Sequence, residues 1–295
     1  MKSILGLVAI EDIRSTITVA FTSRSLKIMP DSELSYLLEE VQKFESSTRD
    51  QTAGKTGSET DERAVLVGAT LLYAQRLATS IAHLAKERVP HITETLKTLG
   101  SFKHGNSEHE LQFEESEYEL HMASQFVGFG QRVSFVKAAS ASRYKQRVEF
   151  MLGYKWPVEC KRPRSKGQIL SNIDKAIAKI AERSQPGLVC LGLESAFPQA
   201  GLFLEAADSS DICAQVSSQL RPWLSKNRDA IQGRLSKSDA RFLIFTYVVR
   251  RSYMHDTEHV ALPSLRLGLS SSGDWITTDV AETCIEALKT ERASK

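Results

Sequence analysis

Between residues 148 and 193 the hydrophobic period changes from two, to about 3.6, to an unbroken apolar run, and that succession leaves few folds open. Val148–Leu152 and Trp156–Lys161 read as strands joined by a short turn. Residues 168–183 carry Ile169, Ile173, Ile177 and Ile180 on one stripe, which predicts an amphipathic helix ended by Pro186-Gly187. Leu188–Leu193 is the kind of apolar run expected of a strand buried on both faces. Strand, helix and strand in that order form a crossover unit, so part of the sheet is expected to be parallel. A strand at Val133–Val136, a helix near 209–234, an apolar strand at Phe242–Val249 and a final helix near 278–290 extend the pattern. The fold class expected is α/β (α+β), with a mixed central sheet flanked by helices.

The first hundred residues read differently. Pro30-Asp31-Ser32 offers a helix start, followed by Leu34, Leu37, Leu38 and Val41 at helical spacing. Residues 46–62 are polar and read as an exposed loop. A long helix is expected from Glu62 to Glu87, stopped near Pro90, and a shorter one ending at Gly100. Residues 101–113 are polar and mark a boundary, after which 114–130 reads as a helix. The expected division is a mainly helical region, 1–105, and a sheet-bearing domain, 106–295. With 41% apolar residues, the 295-residue chain has material for a packed core in each.

The net charge of +2 excludes a chain that binds polyanions through global basicity, so any nucleic-acid surface is local. Cys160, Cys190, Cys213 and Cys284 are far apart and form no CxxC pair, which argues against a zinc knuckle and for a reducing compartment. Ile4–Ile10 is apolar but short, and Glu11 and Asp12 follow at once, so it reads as neither a leader nor a span. The expectation is a cytoplasmic, soluble, intracellular protein with no membrane partner.

The stretch that carries chemistry is the hairpin. A loop at Gly153-Tyr154-Lys155 pairs Leu152 with Trp156, Phe150 with Val158, and Glu149 with Glu159. Alternation then puts Glu159 and Lys161 on one face with Glu149, the opposed β-carbons about 5 Å apart. Val148, Phe150, Leu152, Val158 and Cys160 form the other, apolar face. Two opposed carboxylates repel unless a cation lies between them, and Mg²⁺ is hard enough to take such oxygens. Lys161 on the same face is placed to stabilise charge growing on a phosphate. A Glu-x-Lys tripeptide arises by chance roughly once in a chain of this length, and a solvated face with charge pairs accounts for it too. The second carboxylate in register, the helix and the buried strand favour the functional reading.

With these residues the segment resembles the PD-(D/E)xK, restriction-endonuclease-like nucleases, whose core runs helix, three strands, helix, strand. Glu119-Leu120-His121-Met122-Ala123 is similar to the family's first-helix motif. Gly128–Phe135 is similar to the turn into its first strand, Val148-Glu149-Phe150 to its Pro-Asp-hydrophobic motif, and Val158–Pro163 to its third-strand motif. The resemblance covers about 114–195, to 250 at its widest, and not the N-terminal third. It implies that Glu149 and Glu159 hold Mg²⁺ (or Mn²⁺), that the Cys160 carbonyl contributes, that Glu119 assists, and that Lys161 is catalytic. The chain departs from the family with Glu at 149 for the usual Asp and Val at 148 for Pro; Asn172 and Lys179 stand where many relatives carry Gln.

Glu119 shares a stripe with Ala123 and Phe126, which aims it inward, where a carboxylate is costly unless paired or metal-bound. The alternative is a solvent-facing member of the acidic group Glu114, Glu115 and Glu117. Arg162, Arg164 and Lys166 are candidates for contacts to a nucleic-acid backbone, or else a solvated turn; Arg143, Lys145 and Arg147 carry the same double reading. Ala53-Gly54-Lys55-Thr56 lacks the first glycine and the preceding strand of a P-loop. The cluster His255, Asp256, Glu258 and His259 reads as a polar hairpin tip more readily than as a metal site.

Three functions remain in view: a Mg²⁺-dependent nuclease acting on DNA, a nuclease-like fold retained as a binding module for nucleic acid or protein, and a mainly helical interaction protein with a fortuitous motif. In the first, the N-terminal region serves homodimerisation, substrate capture or a protein partner.

Overall fold

The computed structural model describes residues 8–51, 61–136, 150–153, 155–201, 204–206, 209–248, 252–254, 259–260, 264–277 and 279–293. The chain divides into two compact units, Met1–Gly128 and Phe129–Lys295.

The first unit is helical: α1 (Ile13–Thr22), α2 (Glu33–Gln51), α3 (Asp61–Lys86), α4 (Ile92–Leu99) and α5 (Ser107–Gly128). Ser32 caps α2, its hydroxyl accepting from the Ser35 amide at 3.1 Å. Leu34 and Val41 from that helix are fully buried, as their spacing predicts. α3 packs against α1, α2 and α5. Arg76 of α3 meets Glu117 of α5, and His83 meets Ser124, both pairs 41 residues apart, so α3 and α5 run in the same direction.

Two expectations change here. Within the loop expected over 46–62, residues 46–51 belong to α2 and Asp61 and Glu62 to α3, while 52–60 lie outside the described residues. Polar composition alone does not end a helix. The polar stretch 101–113 likewise holds the start of α5, where the Asn106 side chain accepts from the amides of Glu108 and His109 at 3.1 and 3.2 Å. The division of the chain therefore falls after Gly128 instead of near residue 105, because α5 packs with α3 and α4.

The second unit is α/β. Its strands are β1 (Val133–Phe135), β2 (Phe150–Leu152), β3 (Trp156–Lys161), β4 (Gly187–Gly192), β5 (Leu204–Ala206), β6 (Ala240–Val248), β7 (Ser252–Met254), β8 (His259–Val260), β9 (Ser264–Ser270) and β10 (Trp275–Ile276). Its helices are α6 (Ile169–Ala181), α7 (Ser209–Leu235) and α8 (Val280–Ala293). Seven strands form a mixed sheet in the order β1-β2-β3-β4-β6-β9-β10, and β5, β7 and β8 form a small second sheet. β3, β4 and β6 are parallel neighbours, as the crossover pattern requires, while β1–β2, β2–β3 and β6–β9 are antiparallel. A sheet of this extent overturns the reading of a mainly helical interaction protein.

Both faces of the sheet are covered. Across it, Glu159 neighbours Val189, then Leu243 and Leu269; Lys161 neighbours Leu191, then Phe245. The apolar members of these rows share one buried cluster with Ile169, Ile173 and Ile180 of α6 and Ile212, Val216 and Leu220 of α7. The opposite face carries Val158, Leu188, Cys160 and Cys190. There α8 brings Cys284 close; burial pushes the Cys284 thiol well above its ordinary range, and neighbouring Cys190 adds to the effect. All four cysteines are free thiols. Among the described residues, no helix is long and apolar enough to cross a membrane.

Candidate active site

The hairpin has the register that its sequence predicts: Leu152 opposite Trp156, Met151 opposite Pro157, and Phe150 opposite Val158. The turn opens on Gly153 at φ +56°, a conformation natural to glycine, and the Lys155 amide donates to the Leu152 carbonyl at 3.0 Å. Pro157, which has no amide hydrogen to give, lies just before the β3–β4 ladder begins at Val158. Glu149 lies outside the described residues, and so do Arg143, Lys145, Arg147, His255, Asp256, Glu258 and the segment Ala53–Thr56. His259 stands in β8.

Glu159 and Lys161 project from the same face of β3, and the Lys161 Nζ is 2.8 Å from Oε1 of Glu159. That face is closed. Glu159 is fully buried and Lys161 is 8% exposed, because the face they share is covered by α6. A second amine reaches the same oxygen: Lys179 Nζ of α6 stands 2.6 Å from Oε1. Ile173, Ala176 and Ile180 anchor the inner stripe of α6, which leaves Lys179 on its flank with its side chain 17% exposed. A carboxylate this deep is tolerable only when paired, and two charge-assisted contacts supply that. Asn172, one further helical repeat back, donates to the Gln168 carbonyl at 2.8 Å.

The other expected residues stand in their own surroundings. Cys160 lies on β3 with its side chain on the opposite, apolar face and its backbone in the β3–β4 ladder opposite Cys190. Arg162 follows Lys161 and turns to the other side; it is 5% exposed, with Nε 3.8 Å from Oε2 of the equally buried Glu194. Its guanidinium is thus turned into the fold and not toward solvent. Arg164 and Lys166 are exposed, and the Lys166 ammonium lies 4.7 Å from the centre of the Phe197 ring. Glu119 is half-buried on α5, within the helical unit. The fully buried acid of that helix is Glu117, bound through both oxygens by Arg76 at 2.7 Å each. This corrects the grouping of Glu117 with solvent-facing acids. An arginine among the buried apolar positions Leu71, Ala74, Leu77, Ala78 and Ile81 is the sequence signal for such a partner.

Glu159 offers the hard oxygen donor that suits Mg²⁺. The type of donor fits, while the second carboxylate expected beside it is Glu149, outside the described residues. Among the described residues no group of three or more acids, histidines or cysteines is arranged to hold a metal ion. Comparison with family models, curated proteins and solved structures found no match.

Proposed function

We propose that the second unit is the catalytic part of a divalent-metal-dependent nuclease with a restriction-endonuclease-like core, acting on DNA. The observation that carries this reading is the pairing of Glu159 and Lys161 on one face of β3 at 2.8 Å, next to a β2 strand held in the expected register. The order β1, β2, β3, α6, β4 within the second unit supports it, since three strands, a helix and a strand follow the first helix in the family core. Glu149 and Glu159 would hold Mg²⁺, or Mn²⁺ in its place, with the Cys160 carbonyl as a further oxygen. Once bound, the ion supplies Lewis acidity toward a phosphoryl oxygen.

The chain's own groups do the rest. Lys161 is fixed by strand geometry and by Glu159, so its ammonium is preorganised for negative charge building on a phosphate. The covering helix excludes water, which strengthens that interaction. Arg164 and Lys166, exposed just beyond the strand, are the cations available to a phosphodiester backbone. The helical first unit serves dimerisation, substrate capture or a protein partner.

The test is digestion of plasmid and oligonucleotide DNA with Mg²⁺, Mn²⁺ or EDTA by the full chain and its Lys161→Ala variant. Expected is metal-dependent cleavage, abolished by EDTA and reduced about 100-fold or more in the variant, which keeps its circular dichroism spectrum. Equal cleavage by both proteins, or none with any metal, would overturn the assignment.

One observation favours a second reading, a nuclease-like fold that binds without cutting: Glu159 is completely buried and has two amines on one oxygen. It predicts retention of nucleic acid or protein with no turnover in any metal.

A further inference from the structure

A helix residue shares the carboxylate on which the proposed nuclease site depends. Lys161 and Lys179 both contact Oε1 of Glu159, at 2.8 and 2.6 Å, yet they are tethered differently. Lys161 is two residues along the same strand, so its backbone cannot move without Glu159. Lys179 reaches in from α6 on a flexible four-carbon stem, and its side chain is the more exposed of the two, at 17% against 10%. A lysine head of this kind can turn outward while its stem stays packed. A divalent ion arriving at Glu159 meets the ammonium of Lys179 as a like charge on the same oxygen, and one of them must yield.

We propose that Lys179 is a positioning residue that holds the Glu159 carboxylate in place and gives way when a divalent cation binds there. It sets the cation affinity of the site by competing for Oε1, while Lys161 stays beside Glu159 to meet the phosphate. The proposal rests on the nuclease reading above, and Lys179 is assigned no contact with substrate.

The experiment measures Mn²⁺ affinity of the full chain without nucleic acid, by electron paramagnetic resonance of the free ion. The proteins are the wild type, Lys179→Met, Lys179→Arg, Glu159→Gln and the Glu159→Gln/Lys179→Met double variant. Lys179→Met keeps the apolar stem and removes the charge, so it is expected to bind Mn²⁺ at least about fivefold more tightly. Lys179→Arg keeps the charge and is expected to stay close to the wild type or below it. The double variant is expected to lose the gain, which places the competition at Glu159. Measurable binding that Lys179→Met leaves unchanged or weakens would overturn this proposal and leave the metal reading standing. So would a gain that survives Glu159→Gln. No Mn²⁺ binding by any variant would overturn both. If Lys179→Met does not fold, Lys179→Gln and Lys179→Ala take its place; failure of all three to fold would mark Lys179 as structural and overturn the proposal.

Discussion

Each unit buries a glutamate against cations, and the two do it in different ways. In the helical unit Glu117 meets Arg76 fork to fork, each carboxylate oxygen 2.7 Å from its own guanidinium nitrogen. In the α/β unit Glu159 takes two lysine heads on one oxygen. A planar guanidinium locked bidentately has one good geometry and little freedom to leave it; an ammonium is a point charge on a flexible stem and can be exchanged for another cation. The first arrangement suits a helix pair that must keep its register. The second suits a site where a ligand has to displace something. Under the proposed function, the two buried acids differ in how their partners are tethered, not in whether they are buried.

The largest effect is expected at the locked pair. Glu117→Ala, or Arg76→Ala, leaves its partner without the bidentate contact inside the helical unit and should cost about 3–5 kcal/mol in chemical denaturation. Replacing both together by leucine and methionine should recover most of that loss, since well-packed apolar groups often equal a buried ion pair. If the double replacement is as damaging as either single one, the pair does more than hold α3 to α5.

Glu159→Ala should cost less, about 2–3 kcal/mol, because the side chains of Lys161 and Lys179 are partly exposed and their heads can turn outward. Trp156, Trp223 and Trp275 all lie in the α/β unit, so tryptophan fluorescence reads its unfolding. Losses at Glu159 and Glu117 of the same size would erase the distinction between a locked and an exchangeable partner.

What the sequence disclosed follows from how local each signal is. Strand β3 is expected at Trp156–Lys161 and found there, because alternation and a short turn are contained in a dozen residues. The parallel β3–β4 neighbours are likewise legible, since the amphipathic helix and the apolar run after it permit little else. Lys161 lies beside Glu159 because both sit two apart on one strand. That their shared face is covered was not legible, for it depends on α6 folding back onto β3, and alternation does not say which of two faces a helix will choose. The same holds for Lys179, noted in sequence only as a departure from a family pattern. Arg162 reads as one of a basic run, yet strand alternation alone turns it away from Lys161, and its partner Glu194 is distant in sequence. The start of α5 was missed because Asn106 and the acids after it look like a linker, although an Asn followed by acids is also how a helix begins.

The next effect down tests the packing behind the site. A β-carbon at Gly187 would lie 2.6 Å from the Pro157 carbonyl oxygen and 3.0 Å from Ile180 Cγ2. Gly187→Ala should therefore push β4 from β3 or α6 from the sheet, at about 1–3 kcal/mol, again read by tryptophan fluorescence. If α6 is what shifts, Lys179 moves with it, and Mn²⁺ affinity should change along with stability. A purely local adjustment would change stability alone. This variant thus separates the seat of α6 from the charge on Lys179, which Lys179→Met cannot do.

The smallest effect concerns how helices start in the two units. Ser32 receives the Ser35 amide at 3.1 Å and donates to the Met29 carbonyl at 2.6 Å, so its hydroxyl closes the first turn of α2. Ser165, at the start of the single turn Lys166–Gln168 that leads into α6, makes no side-chain cap, and neither does Gln168 at the start of α6 itself. Ser32→Ala should cost about 1 kcal/mol, while Ser165→Ala should stay within about 0.5 kcal/mol. A helix without a cap at its entrance must draw its stability from the face it buries, which for α6 is Ile169, Ile173, Ala176 and Ile180. Denaturation of the two variants side by side decides the matter. An equal cost would mean that the entrance to α6 is held as firmly as that of α2, whatever makes the hold.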